Sequence, residues 1–248
     1  MNTSTHRGVS AADVFRSIVI WITGTITMVF FATLAVLASF IDRTGNLSHK
    51  FSSDWTRVLL KLAHVQVNVR GTENIEKDKT YIITSNHQGL FDICLIATYI
   101  PLNFKWIVKK ELLEIPFFGL ALKASRYIAV NREDGKKAIK DMKQAEIFLN
   151  NGVSIAIFPE GTRTRDGRVE EFKKGAFVLA NRSKMPILPV SIDGSFNILA
   201  KGGFIVRPQK VTFTIHKPVY TDNMTVEERK ELPAKIQKIV ASGVVGDI

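Results

Sequence analysis

The chain has 248 residues, 46% of them hydrophobic and 23% charged, long enough for one large α/β domain with its own core or two small ones, and of a composition that excludes a collagen-like or disordered chain. Its one cysteine, Cys94, rules out an internal disulfide and suits a reducing compartment, while the five histidines fall in no C-x-x-C or H-E-x-x-H pattern, so no metal site is expected. The formal charge of +11 is either a lysine-rich solvated surface or a sign of anionic partners: a membrane surface, a phosphorylated substrate, an acidic carrier protein or nucleic acid.

Residues 17–41, "SIVIWITGTITMVFFATLAVLASFI", carry no charge and lie between Arg16 and Asp42-Arg43. The run exceeds the ~20 apolar residues that span a hydrocarbon core and is far longer than the ~7–15-residue apolar stretch of a signal peptide. Trp21, Phe30, Phe31 and Phe40 share no single helical face, which argues against a buried soluble helix. Membrane association is the expectation. A second helix follows from Phe51, with Phe51, Trp55, Val58, Leu59 and Leu62 on one side and Asp54, Arg57 and Lys61 on the other. It reads equally as a core helix and as a helix lying on a bilayer. Residues 1–63 are therefore expected to form membrane-anchoring helices, and residues 64–248 the α/β domain.

Beyond residue 64, short β-branched runs alternate with helical stretches. Strands are predicted at 65–71, 80–86, 104–108, 127–131, 153–159, 187–193 and 210–216, and helices at 90–99, 134–150, 173–183 and 226–242. Such alternation predicts a largely parallel or mixed sheet flanked by helices, in which sites gather at the carboxyl ends of the strands.

Two stretches stand at such ends. In "NHQGLFD", His87 and Asp92 are five residues apart, and an ideal helix would point them roughly 140° away from each other. They meet only if the backbone turns between them, which Gly89 permits. Met, they form a base and the carboxylate that orients it. Unmet, Asn86 caps a helix and His87 is a bystander. In "FPEGTRT", Phe158-Pro159 ends a strand, Gly161 allows close backbone approach to a ligand, and Arg163 offers a forked donor suited to phosphate. The plain alternative is a charged surface turn, and Arg165 and Arg168 read as solvated.

Together these stretches resemble two sequence blocks of the glycerolipid acyltransferases, specifically the bacterial 1-acylglycerol-3-phosphate acyltransferases. "NHQGLFD" matches the N-H-x4-D block and "FPEGTRT" the F-P-E-G-T-R block, in order and about 70 residues apart. "RYIAVNR" with Arg132, "MPILPVSI" with Pro189 and "KKELLEIPFFG" from Lys109 resemble further family stretches, although Arg126 stands where the block around Arg132 usually has glycine.

The resemblance implies acyl transfer from acyl-CoA or acyl-acyl carrier protein to the sn-2 hydroxyl of lysophosphatidic acid, giving phosphatidic acid in phospholipid biosynthesis. It implies His87 as general base and Asp92 as its orienting partner, with direct attack and no acyl-enzyme on Cys94. Glu160, Gly161, Thr162 and Arg163 would form the glycerol-phosphate pocket, with Lys109 and Arg132 as further phosphate contacts and amides near Gly161 as oxyanion donors. No cofactor or metal is implied beyond the acyl-donor co-substrate. The partners are then lysophosphatidic acid, the acyl donor and the bilayer, not nucleic acid. The expected location is an inner (cytoplasmic) membrane with the site facing the cytoplasm. Glycerol 3-phosphate or another lysophospholipid is the neighbouring acceptor, and a non-catalytic binder of anionic lipid is the reading of another class.

Overall fold

A computed structural model describes residues 9–131, 135–199 and 201–245. Seven strands form one sheet: β1 Gln66–Arg70, β2 Ile82–Ser85, β3 Phe104–Lys109, β4 Ile128–Val130, β5 Ser154–Ile157, β6 Ile187–Asp193 and β7 Lys210–Ile215. Their order is β1-β7-β6-β2-β5-β3-β4. Every neighbouring pair is parallel except β6–β7, so β1 and β7 run against the other five. All seven predicted strands are present, and the sheet is mixed.

The central strands β2 and β5 are buried throughout, as apolar strands covered on both faces should be. Helix α3 (Phe91–Tyr99) covers one face, its Leu95 and Ile96 packed with Ile83 and Phe104. Helices α5 (Gly135–Asn150), α6 (Gly175–Ser183) and α7 (Val226–Ala241) cover the other, through Leu149, Phe177 and Ile236. Helix α4 (Phe118–Ala124) was not predicted, because seven residues after a proline give too little periodicity to read. Arg132 lies outside the described residues.

The N-terminal pair folds back on itself. Helix α1 (Ala11–Ile41) turns at Gly45, held at φ +73°, into α2 (Asn46–Leu62). Ser48 Oγ donates to Ala35 O at 2.7 Å and Trp55 Nε1 to Gly24 O at 3.3 Å, which sets the two helices antiparallel. Helix α2 packs between α1 and α3 with Leu60 buried, while Phe51, Trp55, Val58, Leu59 and Leu62 are only partly buried, so its apolar face is part core and part open. Its polar residues tie it to the sheet: Lys105 Nζ donates to Asn46 Oδ1 at 3.0 Å, and His49 Nδ1 meets the Tyr127 hydroxyl at 2.7 Å.

Helix α1 is held at both ends, by Trp21 Nε1 to Phe204 O at 2.8 Å near its start and by Ala32 and Ala35 against Ala121 of α4 further on. Its inward face is mostly small: Ser17, Gly24, Ala32, Ala35 and Ala38. Phe15, Ile18, Ile22, Ile26, Phe30, Leu37 and Phe40 stand outward and exposed at helical spacing. An exposed stripe of large apolar side chains over a buried stripe of small ones suits an apolar medium outside.

Candidate active site

Strands β6, β2 and β5 are neighbours, so the loops leaving their carboxyl ends meet. The loop from β2 carries His87, that from β5 carries Glu160 to Arg163, and that from β6 carries Ser195. Asn86 joins two of them: its Nδ2 donates to Ile192 O at 2.8 Å and its Oδ1 accepts from Ile192 N at 2.9 Å. Asn86 is fully buried. Asn86→Ala is therefore expected to leave both backbone groups unpaired and lower stability by about 2–4 kcal/mol, read as a shift in the urea midpoint.

His87 and Asp92 do meet: Nδ1 lies 2.8 Å from Asp92 Oδ2. The backbone turns through 87–90 before α3 begins, and Asp92 sits in the helix's first turn, where the dipole favours a negative charge. Gly89 makes the turn by leaving space rather than by a left-handed φ. A Cβ there would stand 3.2 Å from Ser195 O. Asp92 is fully buried and held from three sides: His87, the Gly89 amide (2.7 Å) and a short hydrogen bond from Ser195 Oγ. Gln88 also contacts Ser195 Oγ, at 3.2 Å, and its Nε2 donates to Gly167 O at 2.7 Å. The His87 ring stacks on Phe158 with centroids 3.9 Å apart, and Phe158 stacks in turn on Trp106. The ring is thus fixed in position and tilt, with Nδ1 occupied.

Glu160 stands behind this pair. Its Oε1 accepts the His87 backbone N–H at 2.8 Å, and Oε2 is buried without a hydrogen bond of ordinary geometry. Burial pushes its carboxyl up to about 8; the Asp92 and Glu170 carboxylates push the same way, while the His87 and Glu170 amides oppose. Gly161 has φ +75°, which gives the chain its reversal after Pro159. The Gly161 N–H donates to Phe158 O at 3.1 Å, so that amide is spent on the turn and not held for an oxyanion.

An apolar cavity of about 310 Å³ opens beside His87, walled by Trp106, Phe158, Phe118 and Leu122 together with Met28 and Phe31 of α1. Gly161, Thr162, Arg163 and Lys109 also line it. Lys109 is half-exposed and 3.2 Å from Glu111. His87, Lys109 and residues 161–163 thus share one cavity, with Asp92 and Glu160 buried behind. Cys94 is buried, and that burial pushes its thiol up to about 12.

The sequence did not disclose Ser195, Lys173 or Lys201. Lys201 Nζ donates to Thr162 Oγ1 (3.1 Å) and Arg163 O (3.2 Å), fastening the turn. A Cβ on Gly161 would fall 3.0 Å from Lys173 Nζ, so that ammonium lies over the turn. Ser195 had a readable signal, being two residues past the carboxyl end of a predicted strand. The lysines had none, because lysines outside the motifs look alike in a sequence.

A family model described as Acyltransferase matches residues 66–193. A 1-acyl-sn-glycerol-3-phosphate acyltransferase of Limnanthes douglasii is 34% identical over 165 residues, 66% of this chain and 58% of that protein. One of Helicobacter pylori is 34% identical over 167 residues, 64% of this chain and 70% of that protein. The crystal structure of the 1-acyl-sn-glycerophosphate (LPA) acyltransferase PlsC from Thermotoga maritima aligns with a TM-score of 0.81 at 30% identity, covering 94% of each chain. The chain spans 52–60% of the length of three plant relatives it matches.

Proposed function

Because this chain belongs to the Acyltransferase family, we propose that it acylates the sn-2 hydroxyl of 1-acylglycerol 3-phosphate from acyl-CoA or acyl-acyl carrier protein, giving phosphatidic acid. The observation that carries the reading is the His87–Asp92 pair, 2.8 Å apart, set at the edge of an apolar cavity. An alcohol attacks a thioester only as a base takes its proton, and a neutral imidazole suits that task near neutral pH. Asp92 holds the proton on Nδ1 and leaves Nε2 to accept the hydroxyl proton. The hydroxyl oxygen then bonds to the thioester carbonyl carbon, the carbon–sulfur bond breaks, and the thiolate leaves and takes up the proton. No acyl-enzyme is needed.

The acyl chain occupies the apolar cavity, and Arg163, Thr162 and Lys109 receive the acceptor's phosphate at its mouth. The outward face of α1 rests in one leaflet, at an inner (cytoplasmic) membrane with the site on the cytoplasmic side. The lipid acceptor then reaches His87 without crossing water. A non-catalytic binder of anionic lipid would have no use for a buried carboxylate bonded to a histidine at the edge of the cavity.

The test is transfer of a radiolabelled palmitoyl group from palmitoyl-CoA or palmitoyl carrier protein, with lysophosphatidic acid and glycerol 3-phosphate offered separately. Labelled phosphatidic acid is the expected product. Product from glycerol 3-phosphate alone would move the acceptor, and no product from either would end the reading.

A further inference from the structure

Across the 160–163 turn from the apolar cavity lies a second, larger one of about 830 Å³, between that turn, residues 170–174 and α7. The two share Thr162, Arg163 and Lys201, and differ in chemistry. The first is lined mainly by hydrocarbon, with its cations at the rim. The second carries six cations, Arg163, Arg165, Lys173, Lys174, Lys201 and Lys230, against the carboxyls of Glu160, Glu170 and Glu171. Lys173 and Lys201 bridge them, one lying over Gly161 and the other fastened to Thr162 and Arg163.

We propose that this cationic groove holds the phosphopantetheine arm of the acyl donor, with Lys174 and Lys230 receiving its phosphate. The proposal rests on the acyl-transfer reading above and adds to it a place for the donor's carrier. A thioester donor is apolar on one side of its sulfur and amide- and phosphate-bearing on the other. The molecule makes the same change of lining at the 160–163 turn, beside His87. The acceptor cannot use the far end of the groove. Its phosphate is on the carbon next to the reacting one and reaches only the shared rim, whereas a phosphopantetheine arm is several times longer. Arg165 is exposed, as its solvated reading expects, and also lines the groove.

Neither Lys174 nor Lys230 lines the catalytic cavity, so their loss should act on the donor alone. In the full chain, Lys174→Ala/Lys230→Ala is expected to raise the KM for palmitoyl-CoA about tenfold, with kcat and the KM for lysophosphatidic acid unchanged. Binding of free coenzyme A, followed by calorimetry, should weaken by the same factor and needs no turnover. Palmitoyl carrier protein separates two forms of the ligand. An equal rise in its KM assigns the lysines to the phosphate that both donors share, as proposed. A rise for palmitoyl-CoA alone would assign them to the nucleotide end and overturn the phosphopantetheine assignment. Unaltered coenzyme A binding, or a rise in the acceptor's KM instead, would overturn the groove. If the wild-type protein bound coenzyme A at the groove yet formed no phosphatidic acid, the acceptor reading would fall and the groove would stand.

Discussion

Replacing His87 by alanine is expected to cut acyl transfer by about 10²–10⁴-fold while the protein stays folded. The ring touches Phe158 and Asp92, but both are held by other partners. Phe158 still stacks on Trp106, and Asp92 still accepts from the Gly89 amide and Ser195 Oγ. The KM for either substrate should change little, since the missing group acts on a proton and not on a phosphate or a chain. Initial rates paired with a thermal melt give the answer. A variant that kept wild-type turnover would make His87 a bystander, and one that failed to fold would make it a structural residue.

Glu160→Gln should have its largest effect on the pH dependence of stability. The carboxyl has an ordinary value of 4.5 and is pushed by burial up to about 8 in the folded protein. Between those values the folded state holds a proton that the unfolded state has released, so wild-type stability falls as pH rises through this window. Glutamine carries no such proton and can keep the acceptor for the His87 N–H. The variant is therefore expected to match the wild type near pH 4.5 and to be more stable by on the order of 3 kcal/mol at pH 8. Urea midpoints at the two pH values measure it. A gap of the same size at both would mean that Glu160 is ionised in the folded protein.

Much of this was legible in the sequence, for local reasons. Strands such as β2 and β5 are β-branched runs closed by a proline or a polar turn, and a strand's end is where loops of a parallel sheet deliver side chains. That places Asn86-His87 and the 160–163 turn, and the turn at Gly89 lets His87 meet Asp92. What was hidden depends on strand order. Nothing local says that β7 inserts between β1 and β6, or that β6 lies beside β2 and so brings Ser195 to Asp92. The reading of α1 needed the fold in another way. Its large residues do not share one narrow face, and only the packing of Gly24, Ala32 and Ala35 against neighbours shows which side is turned away.

The clamp on Asp92 also fixes when the protein can begin to work. Its hydroxyl donor, Ser195, is made 103 residues after the aspartate, and the strand that precedes it, β6, must first lie beside β2. A ribosome adding roughly 5–20 residues per second therefore releases His87 and Asp92 well before their last partner exists. Until the loop after β6 has emerged, the nascent chain holds a histidine and an aspartate without the Ser195 hydroxyl. The carboxylate that faces His87 therefore gets its last hydrogen-bond donor only when the chain is about four-fifths made.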